Sequence, residues 1–529
     1  MNTKVRGSVA GKYDTVAKMK AGSFVLGQQV ENKATGTKYI VEALGIPDGY
    51  GDHATDDGNF QLTLQSTPQL VVNVIAHGAL PQLGDARNAF QSAIDKVDAA
   101  GGGVVLIPAQ FNMTNAGEAQ ALLCAHPNTV LMGYGEHTGI VYTSDATDTP
   151  CIYSMGEGNE FLNFKIDGTA NATKLAQTTA NCHNLHIENS DNCKVRGMFS
   201  EGGHYGVSFA STTGNWTTNR DNEAVGNKCW NGFSSGIDSR RSQGLLLDGN
   251  LCYDRGTDGI KTGEGTRYAT IVNNRCHDNT RDGIDLFDGF IESLLGVNHC
   301  WDNGSFGFEC KGTFGGTYAA GDYVFINNSI VGNVARGNGA DGFSVSSVRN
   351  CTFTGNDSVS NALSGFNVST VQGCTFVGGI ATRNTQHGYN LAASVSRSSF
   401  TGCFAIDNSW DDGTIQNGTY HGFNLENGCA AEFTGCTAGN GTTAGQKGGQ
   451  GYGILFTSGG SSIVGGSFDD NVTDDISGAS NAMILGIKND IGLRLNSFGS
   501  FSSNADAAIT GYVNFVDEAG VARKLATIA

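Results

Sequence analysis

A glycine followed by a large apolar residue and then, in nearly every case, a polar or charged one recurs ten times between Gly206 and Gly453. The glycines stand at 206, 236, 259, 283, 307, 342, 365, 388, 422 and 453, spaced 23 or 24 residues apart wherever no extra loop intervenes. A fixed period of this size belongs to a solenoid. Each repeat reads as short strands broken by Asn and Gly, without helical periodicity, so the expected fold is all-β, a parallel β-helix. Equivalent positions of successive coils then stack about 4.8 Å apart, and residues one period apart in sequence become neighbours in space.

A second register runs through Asn227-Lys228-Cys229, Asn250-Leu251-Cys252, Asn274-Arg275-Cys276 and Asn298-His299-Cys300. The Asn column suits a bend, because Asn tolerates left-handed backbone and bonds to neighbouring backbone. The cysteines suit a narrow core, where a small thiol stacks well. All 14 are expected to be reduced, since the chain is large and opens without a secretory signal pattern.

Composition excludes several classes of partner. With 77 glycines, 6 prolines and 39% apolar residues, the chain is rich in turns but able to build a core. A net charge of -18 argues against nucleic acid and anionic membranes, and no apolar run approaches a membrane span. No zinc-type Cys/His spacing, phosphate loop or nucleophile elbow occurs, so no cofactor is expected; no spaced motif demands a metal, which leaves a bound Ca²⁺ open among so many carboxylates.

Before the repeats, Ala89, Phe90, Ala93, Ile94 and Val97 make an apolar stripe at helical spacing, with Asp85 as a cap and Gly101-Gly102-Gly103 as a stop. The strand Val104-Val105-Leu106-Ile107 follows, and the pair is expected to plug the open end of the solenoid. At the other end, Tyr512 to Val516 and Arg523 to Ile528 read as a β-hairpin around a polar turn.

Val72-Asn73-Val74, Gly78-Ala79, Gly84-Asp85, Phe90-Gln91-Ser92-Ala93-Ile94 and Gly101 to Pro108 resemble the opening motif of the pectate-lyase-like superfamily of right-handed parallel β-helices. Tyr13-Asp14-Thr15-Val16-Ala17-Lys18-Met19, Leu26 to Val30 and Lys38-Tyr39-Ile40-Val41 are similar to the module that fixes bacteriophage tailspikes to the virion. The resemblance implies a virion-attachment module at 1–68, a capping strand and helix at 69–115, a glycan-binding and catalytic β-helix at 116–485 and a C-terminal hairpin region at 486–529. It further implies a phage-tail protein made in the host cytoplasm, a homotrimer, a tail or baseplate partner and a bacterial surface polysaccharide as substrate.

Two places after each repeat glycine, Asp238, Lys261, Asp285 and Glu309 form consecutive charged rungs, flanked by Asp258, Asp282, Arg240 and Lys311. Alternating signs describe an ordinary ion ladder, but Asp285 beside Glu309 puts like charges on neighbouring rungs, which stability does not favour. Glycosidic hydrolysis needs two carboxyl groups, about 5 Å apart for retention and roughly 6.5–9.5 Å for inversion. Asp285, Glu309 and Asp282 are therefore the catalytic candidates, and Asp238, Asp258, Lys261 and Lys311 the substrate-binding ones. Trp230, Tyr253, His277 and Trp301 follow the ladder cysteines and offer an exposed aromatic column for sugar rings, or equally a surface beneath a loop or a subunit. A lyase acting through Lys261, Arg267, Tyr268 and His277 is the nearest rival reading, and a spike that binds without catalysis is the third.

Overall fold

In a computed structural model, residues 70–115, 117–143, 149–169, 182–211, 218–312, 325–392 and 394–411 are described continuously. Shorter stretches are described between 414 and 485, and isolated strands towards each terminus. The chain divides into two compact units, Met1–Thr280 and Arg281–Ala529. Both are parallel β-solenoid, as the period predicts.

In the first unit each coil contributes three strands. Val207–Ala210, Glu223–Val225 and Lys228–Gly232 make one coil, and Ile237–Arg240, Leu246–Asp248 and Leu251–Arg255 make the next. Each strand pairs in parallel and in register with its counterpart, so that Cys229 lies beside Cys252 and Ile237 beside Ile260. The glycine column has a steric cause. A Cβ on Gly236 would sit 2.7 Å from the Gly259 carbonyl and 2.8 Å from the Cys252 sulfur, so the coil corner closes only around hydrogen.

The helix Arg87–Ala99 buries Phe90, Ala93, Ile94 and Val97, the expected stripe. Its cap is displaced by one residue from the expectation: Ala86 is the N-cap, and Asp85 accepts from the Arg87 amide at 3.1 Å and from Thr114. Gly101 and Gly102 then take positive φ and end it. Upstream, five short strands between 11 and 66 form a separate sheet.

The second unit stacks aromatic rings along its core. Phe308, Phe343, Phe366, Tyr389 and Phe423 follow one another with centroids 4.6–4.8 Å apart, and Phe353, Phe376, Phe400 and Phe433 form a parallel column. That spacing is the rung spacing itself, so each ring is held at stacking distance by the strand ladder. Val513–Val516 pairs antiparallel with Ala522–Leu525, giving the C-terminal hairpin.

The Asn column departs from the expected conformation. Asn227, Asn250, Asn274 and Asn298 do not have positive φ; the residue before each of them does, namely Gly226, Gly249, Asn273 and Val297. The column residues instead turn inward and are fully buried, where Asn227 Nδ2 donates to Asn250 Oδ1 and Asn250 Nδ2 to Asn274 Oδ1, both at 2.9 Å. An amide ladder, rather than left-handed backbone, is what the position selects. All 14 cysteines are free and buried. Among the described residues no helix is long and apolar enough to cross a membrane.

Candidate functional site

In the first unit, register places Tyr153, His186, Ser208, Asp238 and Lys261 side by side on five successive strands. Their neighbours along each strand fill the core, so alternation turns this column away from it. Asp238 is nevertheless only 1% exposed. Arg240, two residues on, donates from Nε to Asp238 Oδ2 at 3.1 Å, from Nη1 to Glu264 Oε1 at 3.3 Å and from Nη2 to the Tyr205 hydroxyl at 3.0 Å.

Burial pushes the Asp238 carboxyl above the usual carboxylate range, although Arg240 and Lys261 oppose it. Asp238 in turn raises the Arg240 guanidinium. Asp258 is fully buried, accepts from the Ser235 hydroxyl at 3.4 Å and pairs with Lys261 at 3.8 Å. The simple solvated ion ladder does not describe these groups, because Asp238 and Asp258 are both out of water.

A second column, one residue before each glycine or before Asn184 in its place, carries His183, Tyr205, Ser235 and Asp258. Rings gather along it. His183 stacks on Tyr205 at 4.6 Å and lies 5.0 Å from His186, which stacks on Tyr153 at 5.4 Å; His204 adjoins Tyr205 and Phe233. Burial holds His183 well below the ordinary histidine range, so its ring is neutral. The Tyr153 hydroxyl donates to Glu188, and His186 lies 3.6 Å from the same carboxylate.

These histidines and tyrosines were not among the sequence candidates. For Tyr153, His183 and His186 the signal is the same repeat with the glycine replaced: Cys151-Ile152-Tyr153 and Asn184-Leu185-His186 are the rungs before Gly206-Val207-Ser208, whereas His204 and Tyr205 directly precede Gly206.

The aromatic candidates lie elsewhere on the coil. Trp230, Tyr253 and His277 occupy strands Lys228–Gly232, Leu251–Arg255 and Arg275–His277, a different sheet from that of Asp238 and Lys261. They stack nearly parallel, at 6.3 and 5.0 Å, and Lys228 caps the Trp230 face at 4.6 Å. All three are half-buried. His277 therefore stands on a different sheet from Lys261, and Tyr268 is exposed at a left-handed turn.

In the second unit, strand Ile284–Phe287 pairs with Phe308–Lys311, which sets Asp285 directly beside Glu309 and Phe287 beside Lys311. Ile284, Leu286, Phe308 and Cys310 are core, so both carboxylates take the outer face. Asp285 is 1% exposed, Glu309 half-buried and Lys311 exposed. Asp282 is fully buried; its Oδ1 accepts from the Phe306 amide at 3.0 Å and its Oδ2 pairs with Arg281 at 3.3 Å. Trp301 is half-buried on a separate sheet, paired with Arg336 and 4.8 Å from His299.

No protein-family profile and no curated protein sequence matches the chain. Among solved structures, the A-module of an Azotobacter vinelandii mannuronan C-5 epimerase is similar with a TM-score of 0.50 and 20% identity, over 79% of this chain and 99% of that one. The pre-mature bacteriophage phi29 gene product 12 gives 0.52 and 16%, over 79% of this chain and 56% of that one. The Dettilon tailspike gives 0.45 and 14%, over 79% and 68%. At such identities the likeness is one of fold, and the structural neighbours of this parallel β-solenoid include a carbohydrate-active enzyme.

Proposed function

We propose that this chain is a phage tailspike that binds and hydrolyses a bacterial surface polysaccharide, with Asp285 and Glu309 as the carboxyl pair and Asp282 beside them. The observation that carries the reading is the register of Asp285 on Glu309. Two carboxylates on hydrogen-bonded neighbouring strands lie about 5 Å apart at the backbone, and side-chain torsion opens the range that retaining and inverting glycosidases use. Like charges in that position gain nothing for stability. A polysaccharide-cleaving site gives them a task, since one must protonate the leaving oxygen while the other attacks or activates water. Attachment through residues 1–68, assembly as a homotrimer and a place in the virion belong to the same proposal.

The test is release of reducing ends from capsule or O-antigen of candidate hosts. Asp285→Asn or Glu309→Gln should abolish release while binding persists. An absorbance rise from an unsaturated product would instead assign elimination, and binding with no product from any glycan would leave a receptor-binding spike.

A further inference from the structure

The first unit holds buried polar atoms that no described residue pairs with. Among the described residues, Asp238 Oδ1, His183 Nδ1 and His186 Nδ1 are buried without a hydrogen-bond partner, in side chains of which Asp238 is 1% and His183 4% exposed. An unmet polar atom costs about 1–3 kcal/mol, so three in one cluster call for a ligand. All three belong to the two adjacent columns that also carry the stacked rings of Tyr153, His186, His183 and Tyr205.

We propose that this cluster is a binding site for a neutral, hydroxyl-rich sugar residue of the polysaccharide. The inference rests on the polysaccharide reading and sharpens it by naming the chemistry of one bound residue. A sugar ring presents an apolar face for aromatic rings and hydroxyls that both donate and accept. A hydroxyl answers the open Asp238 oxygen whether that carboxyl is ionised or protonated, and a neutral imidazole can likewise pair with it in either tautomer.

A uronic acid fits poorly. Each nitrogen of Arg240 is already engaged, by Asp238, Glu264 and Tyr205, and Arg241 is committed to Glu264 at 2.9 Å and to the Ser211 carbonyl at 3.1 Å. Lys261 is paired with Asp258. An incoming carboxylate would meet Asp238 and Glu264 before it met an uncommitted cation on Arg240, and it cannot donate to the open acceptors.

The experiment is binding of the full chain to a printed array of defined neutral and uronate-bearing oligosaccharides. Wild type should retain neutral members. Asp238→Asn, which keeps shape but removes the charged acceptor, should weaken retention by about tenfold, the worth of one charge-assisted hydrogen bond. Phe233→Ala removes a ring that is 38% exposed beside His204 and lies outside the core, so it should weaken the same members without unfolding the chain. Retention of uronate members alone, no retention of any neutral member, or unchanged binding in both Asp238→Asn and Phe233→Ala would overturn the proposal. Array binding without reducing-end release from any host glycan would sink hydrolysis and still support this site.

Discussion

Arg255 donates a 2.7 Å hydrogen bond to the carbonyl of His204, 51 residues earlier in the chain. The same guanidinium reaches the carbonyls of Gly202, Gly203, Trp230, Ser234 and Ser235, and it is fully buried with no carboxylate partner among the described residues. Burial brings it down to about 10, still charged at neutral pH. Two successive corners, which carry His204, Tyr205 and Ser235, are thus pinned to one cation. Arg255→Met should destabilise the chain by about 3–5 kcal/mol, because it strands several buried carbonyls at once. Arg255→Lys should recover only part of this, since an ammonium cannot span the fork. Thermal or denaturant unfolding measures both. Gly232→Ala should fail for the same reason, as its Cβ would lie 1.8 Å from the Arg255 Nη1.

The amide ladder makes a graded prediction. Asn250 Nδ2 donates to Asn274 Oδ1 and to the Ala224 carbonyl, and its own Oδ1 accepts from the Asn227 amide at 3.0 Å. Asn250→Ala should therefore cost about 2–3 kcal/mol in unfolding free energy. Asn250→Asp should cost more, because a carboxylate cannot donate upward and its charge has no cation in the ladder. An equal loss in the two variants would argue that packing rather than hydrogen bonding fills the column.

The period makes the solenoid and the pairing of Asp285 with Glu309 legible, because register follows from counting once strands stack in parallel. It does not reveal what shares a face with them. Trp230, Tyr253 and His277 obey the same count as Asp238 and Lys261 yet lie on another sheet, since the turn between Gly232 and Ile237 redirects the chain. His183 escapes because the position that marks the repeat with glycine is Asn184 on its rung, and Tyr205 because it precedes Gly206 on a rung that carries no charge. Arg255 leaves no pattern at all, for a single buried cation has no period. Asn250 shows the remaining kind of error, a residue rightly placed at the bend whose work is done by its side chain.

Thiol chemistry should report the intact core. All 14 cysteines are buried and free, and burial raises the Cys193 and Cys429 thiols to about 12. A thiol reagent should find no fast-reacting group in the native chain and 14 after denaturation, with no change on prior reduction. Fewer than 14 without reductant would mean disulfides between coils.

Acid should weaken the second unit through two histidines. His387 Nδ1 accepts from the His421 amide at 3.0 Å, and His421 Nδ1 from the Tyr452 amide at 3.3 Å, so both rings must be neutral in the fold. Burial lowers them to about 3 and about 4 respectively, from the 6.5 of a free imidazole. Between pH 6.5 and about 4 the unfolded chain therefore binds protons that the folded chain refuses, and stability falls as pH falls through that window. Other groups titrate there too, so the informative quantity is a difference. His387→Gln keeps an acceptor for the His421 amide but cannot be protonated. Its unfolding midpoint should drop less than that of wild type when both are moved from about pH 7 to about pH 5. Equal drops would mean that His387 is charged in the native chain or already neutral in the unfolded one.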